Sequence, residues 1–429
     1  MKTVNIGLMG LGTVGSGVVR ILKSHARMIE KRTGIRLVLK KACVRSLSKK
    51  RAVSVPRSLL TQDAKAVYGD PKIDILVELV GGVEPAGDMI CRALASGKHV
   101  VTANKALLAE DGDRIFNQAA RFGRKIGFEA SVCAGVPIIK AIQDGLVSNN
   151  ISHFFGILNG TCNFILTKMA SERMDFEHAL SLAQAKGYAE KNPKLDIEGV
   201  DTAHKLAVLA RLAFGKSVPF HQIQVEGIQR LAAIDIQYAK ELGYEIKLLA
   251  IGKKVHKALE LRVHPTLLPL MHPLSSVQGV YNAIFLHADQ AGDLLFYGKG
   301  AGMLSTASAV MSDILEIARS DSNRPAARTG DAQSIEKAAI LPMDKIVSKY
   351  YLRFQVADSP GVLGKIARSL GRHKISILSV HQKESHDSRS VPVVILTYEA
   401  LEKNLREAIR EINHFGEVRE KTVMMRVER

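Results

Sequence analysis

The 429-residue chain has no tryptophan, and only 5% of its residues are aromatic. A single-stranded nucleic-acid surface needs aromatic rings for bases to stack on, set among cations. Here lysine and arginine are spread along the chain and form no run interleaved with aromatics. The net charge of +18 therefore points away from nucleic acid and toward local clusters for a phosphorylated or carboxylate ligand. Cysteine is scarce as well: Cys43, Cys91, Cys133 and Cys162 lie far apart, with no CxxC pair. That argues against a zinc ribbon or a redox dithiol, and free thiols suit a reducing cytoplasm. Long apolar runs are missing, so no membrane span is expected. The opening MKTVNIGLMG runs straight into a strand pattern and is expected to leave no room for a signal peptide.

Apolar residues make up 46% of the chain, enough for a sizeable core, and the length implies two or three domains. Apolar strand runs at 4–9, 36–44, 73–80 and 99–103 are interleaved with helical spacing over 14–30 and 89–96. Such alternation predicts βαβ units and a parallel sheet. From about 131 to 320, helical segments (137–147, 176–186, 200–214) mix with strands near 151–158 and 247–255, an α+β pattern. The stretch DSNRPAARTGDAQSIEK is polar and lacks periodicity, so residues 321–345 are expected to be a linker. Residues 346–429 then read strand, helix, strand, strand, helix, strand. That βαββαβ order predicts a ferredoxin-like module.

In GLMGLGTVGSGVVRIL, Gly10, Gly12 and Gly15 form GxGxxG, with Thr13 and Val14 inside the turn. A strand precedes the motif and a helix follows it, the context in which it signals a dinucleotide site. The glycines allow a tight turn and close approach of a pyrophosphate to the unpaired N–H groups of the helix start. NAD sites commonly carry an acid about 20 residues further on. This chain instead has KKACVRSLSKKR, placing Arg45, Lys49, Lys50 and Arg51 there. Cations suit the 2′-phosphate of NADP; NAD stays open, because basic runs are usually solvated loops. In open parallel sheets ligands bind at the carboxyl ends of the strands. LVELVGG ends there in Gly81 and Gly82, and HVVTANK in Asn104 and Lys105. Lys105 is expected to face cofactor or substrate.

Seven motifs in order resemble homoserine dehydrogenase over about residues 1–320: GLGTVG at 10–15, TANK at 102–105, FEASVCAGVPII at 128–139, GILNGTCNFIL at 156–166, GYAE at 187–190, Asp196, Asp201 and Lys205 in D-x4-D-x3-K, and GKGAGMLSTASAV at 298–310. The tail resembles an ACT regulatory domain. The resemblance implies a Rossmann-type domain over 1–130 with a return segment near 300–320, and a substrate and oligomerisation domain over 131–320. It also implies interconversion of L-homoserine and L-aspartate 4-semialdehyde with NADPH or NADH, a step serving threonine, methionine and isoleucine synthesis. Gly300 and Gly302 would adjoin the cofactor and Tyr188 the substrate. The loop would hold a monovalent cation, sodium, through the Glu129 carboxylate and the carbonyls of Val132, Ala134 and Val136, an all-oxygen donor set. A homodimer or tetramer is expected, with L-threonine as effector at the turn of residues 358–363.

Reducing an aldehyde takes a hydride and a proton. Lys205 is the candidate acid, and Asp201, four residues earlier and so on the same helix face, can hold it. Glu190 suits the substrate's α-ammonium, with Asp196 as second candidate; Lys105 lies near both ligands by resemblance. Spacing alone would favour an ordinary exposed helix-surface ion pair; the motif resemblance reverses that. Another dehydrogenase on the same fold, or a dinucleotide-binding sensor without catalysis, are the competing functions. In the tail, the alternative to effector binding is subunit pairing alone.

Overall fold

The computed structural model describes residues 1–320, 335–383 and 390–428. Two compact units form: Met1–Gly160 with Val200–Ile223 and Val280–Ala338, and Thr161–Gly199 with Gln224–Gly279 and Ala339–Arg429.

In the first unit six parallel strands lie in the order Leu60–Thr61, Ile35–Cys43, Lys2–Met9, Ile75–Glu78, His99–Thr102, Ile126–Gly127. A parallel sheet is covered on both faces, and all four residues of ILVE in Ile75–Glu78 are buried accordingly. The strand order reverses between Lys2–Met9 and Ile75–Glu78, which opens a crevice at their carboxyl ends. Helix Thr13–Ser24 leaves this switch point and packs on the returning helix Met303–Arg319. Contact is close because Gly17 has no side chain: a Cβ there would stand 2.5 Å from the Met303 carbonyl oxygen. Val18, Val19, Ala307, Val310 and Ile314 join Ile6, Leu8 and Val77 in one core.

The single helix expected over 14–30 is two helices, Thr13–Ser24 and Ala26–Thr33. Ser24 Oγ donates to the Arg20 carbonyl at 2.9 Å and meets His25 Nδ1 at 2.7 Å. A serine bonding back to the helix in this way competes with the backbone ladder, and His25 departs from helical angles. The unit is completed by an antiparallel trio, Ile151–Ile157, Tyr281–Ala288 and Gly292–Lys299, of which the last two strands went unread in the sequence.

The second unit is built on the long antiparallel hairpin Tyr244–Val255 and Ala258–Pro269. The expected ferredoxin-like module is present: Val347–Val356, helix Val362–Arg372, Ile377–Gln382, Val391–Thr397, helix Glu402–Ile412, Val423–Val427. Its sheet is antiparallel, with Val347–Val356 between Val423–Val427 and Val391–Thr397, and Ile377–Gln382 at the edge. Both helices cover one face through Val362, Ile366, Leu370, Leu405, Ala408 and Ile412. The module is joined to the hairpin, since Val423–Val427 pairs in parallel with Ala258–Pro269. Of the expected linker, residues 321–334 lie outside the described residues, and Ala339–Ile340 forms a short strand against Ala258–Pro269. Among the described residues, no helix is long and apolar enough to cross a membrane.

Candidate active site

The glycine turn forms one wall of a cavity of about 680 Å³. Each glycine answers a different demand. Gly10 has φ +94°, and a Cβ would meet the Leu79 carbonyl oxygen at 2.7 Å. At Gly15 a Cβ would lie 2.3 Å from the Gly10 carbonyl oxygen, so this glycine closes the turn. Gly12 has nothing within 4 Å of its missing side chain and lines the cavity; the open space there is room for a ligand. Thr13 also lines it, whereas Val14 packs into the core. The far wall carries Arg45, Lys49, Lys50 and Arg51. Arg51 donates to the backbone carbonyls of Lys49, at 2.9 Å, and Ser46, stapling the loop. Arg45, Lys49 and Lys50 are exposed.

A buried acid that the sequence reading passed over organises the strand ends. Glu78, fully buried, accepts from the Val80 and Gly81 N–H groups at 2.6 and 3.0 Å and from Thr102 Oγ1 at 2.6 Å. An acid inside the apolar run ILVELV was the signal available, since a carboxylate is buried only where donors await it. Thr102 in turn accepts from the Asn104 N–H at 3.1 Å. Asn104 caps helix Lys105–Glu110 by accepting from the Leu107 N–H, and donates its amide to the Gly82 carbonyl at 2.6 Å. Its side chain is thus committed to holding the turns.

This network launches Lys105 toward Asp201. Asp201 opens helix Val200–Phe214, whose span matches the sequence expectation, and its carboxylate collects three donors. Lys105 Nζ lies 3.0 Å from Oδ1. Lys205 Nζ donates to Oδ2 at 2.7 Å and also to the Leu158 carbonyl at 2.6 Å, and Asn159 Nδ2 reaches Oδ2 at 2.9 Å. Burial works to raise the Asp201 pKa, yet Lys205 and Lys105 overcome it and hold the carboxyl well below the usual range. The pair is therefore not an exposed helix-surface contact: Asp201 and Lys205 are 7% and 9% exposed. Lys105, with its side chain 40% exposed, is the more open of the two ammonium groups. None of the three lines the 680 Å³ cavity.

Glu129 sits in the same unit, 2% exposed, and accepts from the Ile139 and Lys140 N–H groups at 2.9 and 2.8 Å. Val132, Ala134 and Val136 are buried in the turn that follows, and the Val136 carbonyl accepts from Ile138. Burial pushes Glu129 up despite those bonds. Asp313, also buried, accepts from the Glu129 N–H at 2.9 Å and is itself pushed up to about 7, by burial first. Lys140, at 3.6 Å, and the bond from the Glu129 N–H draw Asp313 down without overcoming burial. Lys140 also pairs with Glu316 at 3.1 Å. Gly300 adjoins Asn282, where a Cβ would come within 2.2 Å, and Gly302, at φ +128°, starts helix Met303–Arg319.

The remaining substrate candidates belong to the second unit. Tyr188 is exposed, its ring edge-on to Phe164 at 5.0 Å, and its carbonyl accepts from Thr161. Glu190 is exposed, and Asp196, half-buried on helix Lys194–Ile197, accepts from Cys162 through its carbonyl at 3.1 Å.

Known proteins match along the full chain. The homoserine dehydrogenase NAD binding domain family matches residues 10–129, the homoserine dehydrogenase family 137–315 and the ACT domain family 350–414. The homoserine dehydrogenase of Neisseria gonorrhoeae is 43% identical over 432 residues, spanning 100% of this chain and 99% of that protein. The crystal structure of a homoserine dehydrogenase from Thiobacillus denitrificans superposes with a TM-score of 0.95 at 42% identity, covering 100% of this chain and 99% of that one. A hyperthermophilic archaeal homoserine dehydrogenase in complex with NADPH is more distant, with a TM-score of 0.62 and 27% identity over 73% of this chain and 97% of that one. With these matches over its whole length, the protein belongs to the homoserine dehydrogenase family.

Proposed function

We propose that this dehydrogenase interconverts L-homoserine and L-aspartate 4-semialdehyde, in threonine, methionine and isoleucine synthesis, with NADP preferred to NAD and Lys205 as acid and base. The observation that carries the reading is the buried Asp201 carboxylate held between Lys205 and Lys105, the latter opening the helix that follows strand His99–Thr102. The fit of a nicotinamide dinucleotide rests on the open flank of Gly12 and the cations of the opposite wall. When bound, it supplies or accepts the hydride. Gly10, Gly12, Thr13 and the first N–H groups of helix Thr13–Ser24 cradle the pyrophosphate. Arg45, Lys49 and Lys50 receive the 2′-phosphate.

Asp201 keeps the Lys205 ammonium aimed and charged, so that it gives a proton to the oxygen of the forming alcohol and takes it back in the reverse direction. Glu190, with Asp196 as alternative, offers the carboxylate for the substrate's α-ammonium, and Tyr188 adjoins it. A second reading exchanges the lysines. It is favoured by the greater exposure of Lys105, which leaves that ammonium freer to meet a ligand. Single alanine variants at the two positions, assayed by NADPH absorbance with aspartate semialdehyde, separate the readings: the acid's loss lowers kcat, a binding lysine's loss raises KM.

Sodium is the proposed occupant of the Glu129, Val132, Ala134 and Val136 loop, where it offsets the charge of two buried acids. A melting temperature that rises with sodium chloride but not choline chloride, and loses that response in Glu129→Gln, supports it; equal responses refute it. L-Threonine is the proposed effector of the C-terminal module. Pairing of copies into a dimer or tetramer, and a cytoplasmic location in keeping with four cysteines outside any disulfide, complete the proposal.

A further inference from the structure

His204 stands between Asp201 and Lys205 in sequence and has no part in the mechanism above. It projects from helix Val200–Phe214 and bonds Glu110, the last residue of helix Lys105–Glu110. The distance from Nε2 to Glu110 Oε1 is 3.0 Å. A carboxylate only accepts, so the ring donates through Nε2–H. The imidazole is 7% exposed and stacked on Phe220, centroids 4.5 Å apart and planes inclined by 19°. Its rotamer is thereby fixed. Burial holds the ring below its ordinary pKa against the pull of Glu110, so the neutral ring is the bonded form.

The same two helices are clamped a second time, at the other end of the short one, by Lys105 and Asp201. Helix Lys105–Glu110 has six residues, roughly 9 Å of rise, with one clamp at each end. On the long helix, residues three and four apart are neighbours, so Asp201 stands beside both His204 and Lys205. Beside the apolar packing of the two helices, the polar contacts joining them among the described residues are the His204–Glu110 bond at one end and the Lys105–Asp201 pair at the other. A long, flexible lysine holds a position poorly unless its backbone is placed for it.

We infer that His204, through Glu110, is a positioning residue that sets the spacing of the two helices and so the place of the Lys105 ammonium against Asp201. This rests on the reading that the Lys105–Asp201–Lys205 cluster is catalytic.

The test is a mutant cycle in the full-length enzyme. His204→Ala should lower kcat/KM for the aldehyde at least about tenfold, within the range of up to about a hundredfold that an ångström of misplacement costs. KM for the dinucleotide should stay within about twofold, since the glycine turn is untouched. His204→Gln restores an N–H donor near the Nε2 position and should recover most of the rate. Glu110→Ala, at an exposed side chain whose removal leaves no cavity, should reproduce the His204→Ala loss even if the latter folds poorly. Combined with Lys105→Ala, His204→Ala should add little, because its effect passes through Lys105. Wild-type kcat/KM in both His204→Ala and Glu110→Ala, no rescue by glutamine, or multiplied losses in the double variant would overturn the inference while leaving the catalytic cluster in place. A Lys105→Ala enzyme with unchanged kcat and KM would instead sink the cluster reading itself, and the inference with it.

Discussion

Lys205 and Lys105 share one carboxylate but differ in their surroundings. Lys205 is enclosed and gives a second bond to the Leu158 carbonyl, while Lys105 has no such tether among its described bonds and lies nearer solvent. An enclosed, doubly held ammonium keeps its position through the reaction, as a proton donor must. Lys205→Ala should therefore lower kcat by at least about two orders of magnitude with cofactor binding nearly unchanged; retention of more than about a tenth of the rate in a kcat measurement would remove it from the acid role. On the cofactor wall the difference between cations is equally concrete. Arg51 is spent on backbone carbonyls, but Arg45 is exposed and free to meet a phosphate. Arg45→Glu should raise KM for NADPH far more than KM for NADH, because only the former carries the 2′-phosphate. Equal effects on both in steady-state assays would make the loop ordinary surface.

Helix Met303–Arg319 joins the nucleotide half to the loop of Glu129. Its first turns face helix Thr13–Ser24 across Gly17, and its Asp313 accepts from the Glu129 N–H. Gly127 is part of the same fit, since a Cβ there would lie 2.5 Å from Asp313 Cβ. Asp313 has a folded pKa of about 7, against about 3.9 for an unfolded aspartate. Between those values the folded chain holds a proton that the unfolded chain has released. Stability contributed here is thus present at low pH and lost as pH rises toward 7, on the order of 4 kcal/mol at most. Asp313→Asn keeps an oxygen to accept from Glu129 but does not titrate. Its melting temperature should exceed that of the native chain by more at pH 8 than at pH 5, in sodium-free buffer. A pH-independent difference would mean that Lys140 already neutralises the carboxylate.

At the scale of the whole molecule, the C-terminal module cannot be treated as a detachable tail. Asp235, fully buried outside it, is held by Arg353 of the module through two bonds of 2.7 and 3.0 Å and by the Tyr351 hydroxyl at 2.9 Å. Arg426, equally buried, joins Glu402 to Glu226, and Arg262 of the hairpin pairs with Glu428. Removing one side of a buried pair costs about 3–5 kcal/mol. Truncation before residue 350 is therefore expected to yield an unstable chain, by thermal melting, and is a poor way to separate regulation from activity. A point change at the turn proposed for threonine is better. Gly361, at φ +88°, lets the chain turn into helix Val362–Arg372, and Asp358 stands exposed before it. Asp358→Ala should leave uninhibited activity and the melting temperature intact while weakening threonine inhibition. Inhibition at unchanged threonine concentration would move the effector elsewhere.

The local features of this protein were legible in its sequence. Helix Val200–Phe214, the glycine turn and the βαββαβ order of the C-terminal module depend on side-chain period and on turn residues a few positions apart, which a linear reading captures. The break at His25 escaped because it turns on one serine's choice of hydrogen-bond partner. Other features were decided only by tertiary structure. Glu78 gathers donors from two strand ends, Lys105 comes to share Asp201 with Lys205, His204 meets Glu110 across 94 residues and Arg353 meets Asp235 across 118. No periodicity encodes such encounters, because they depend on how separate elements pack. Their strength also comes from burial, which removes competing water and makes each of these polar groups need the partner it finds.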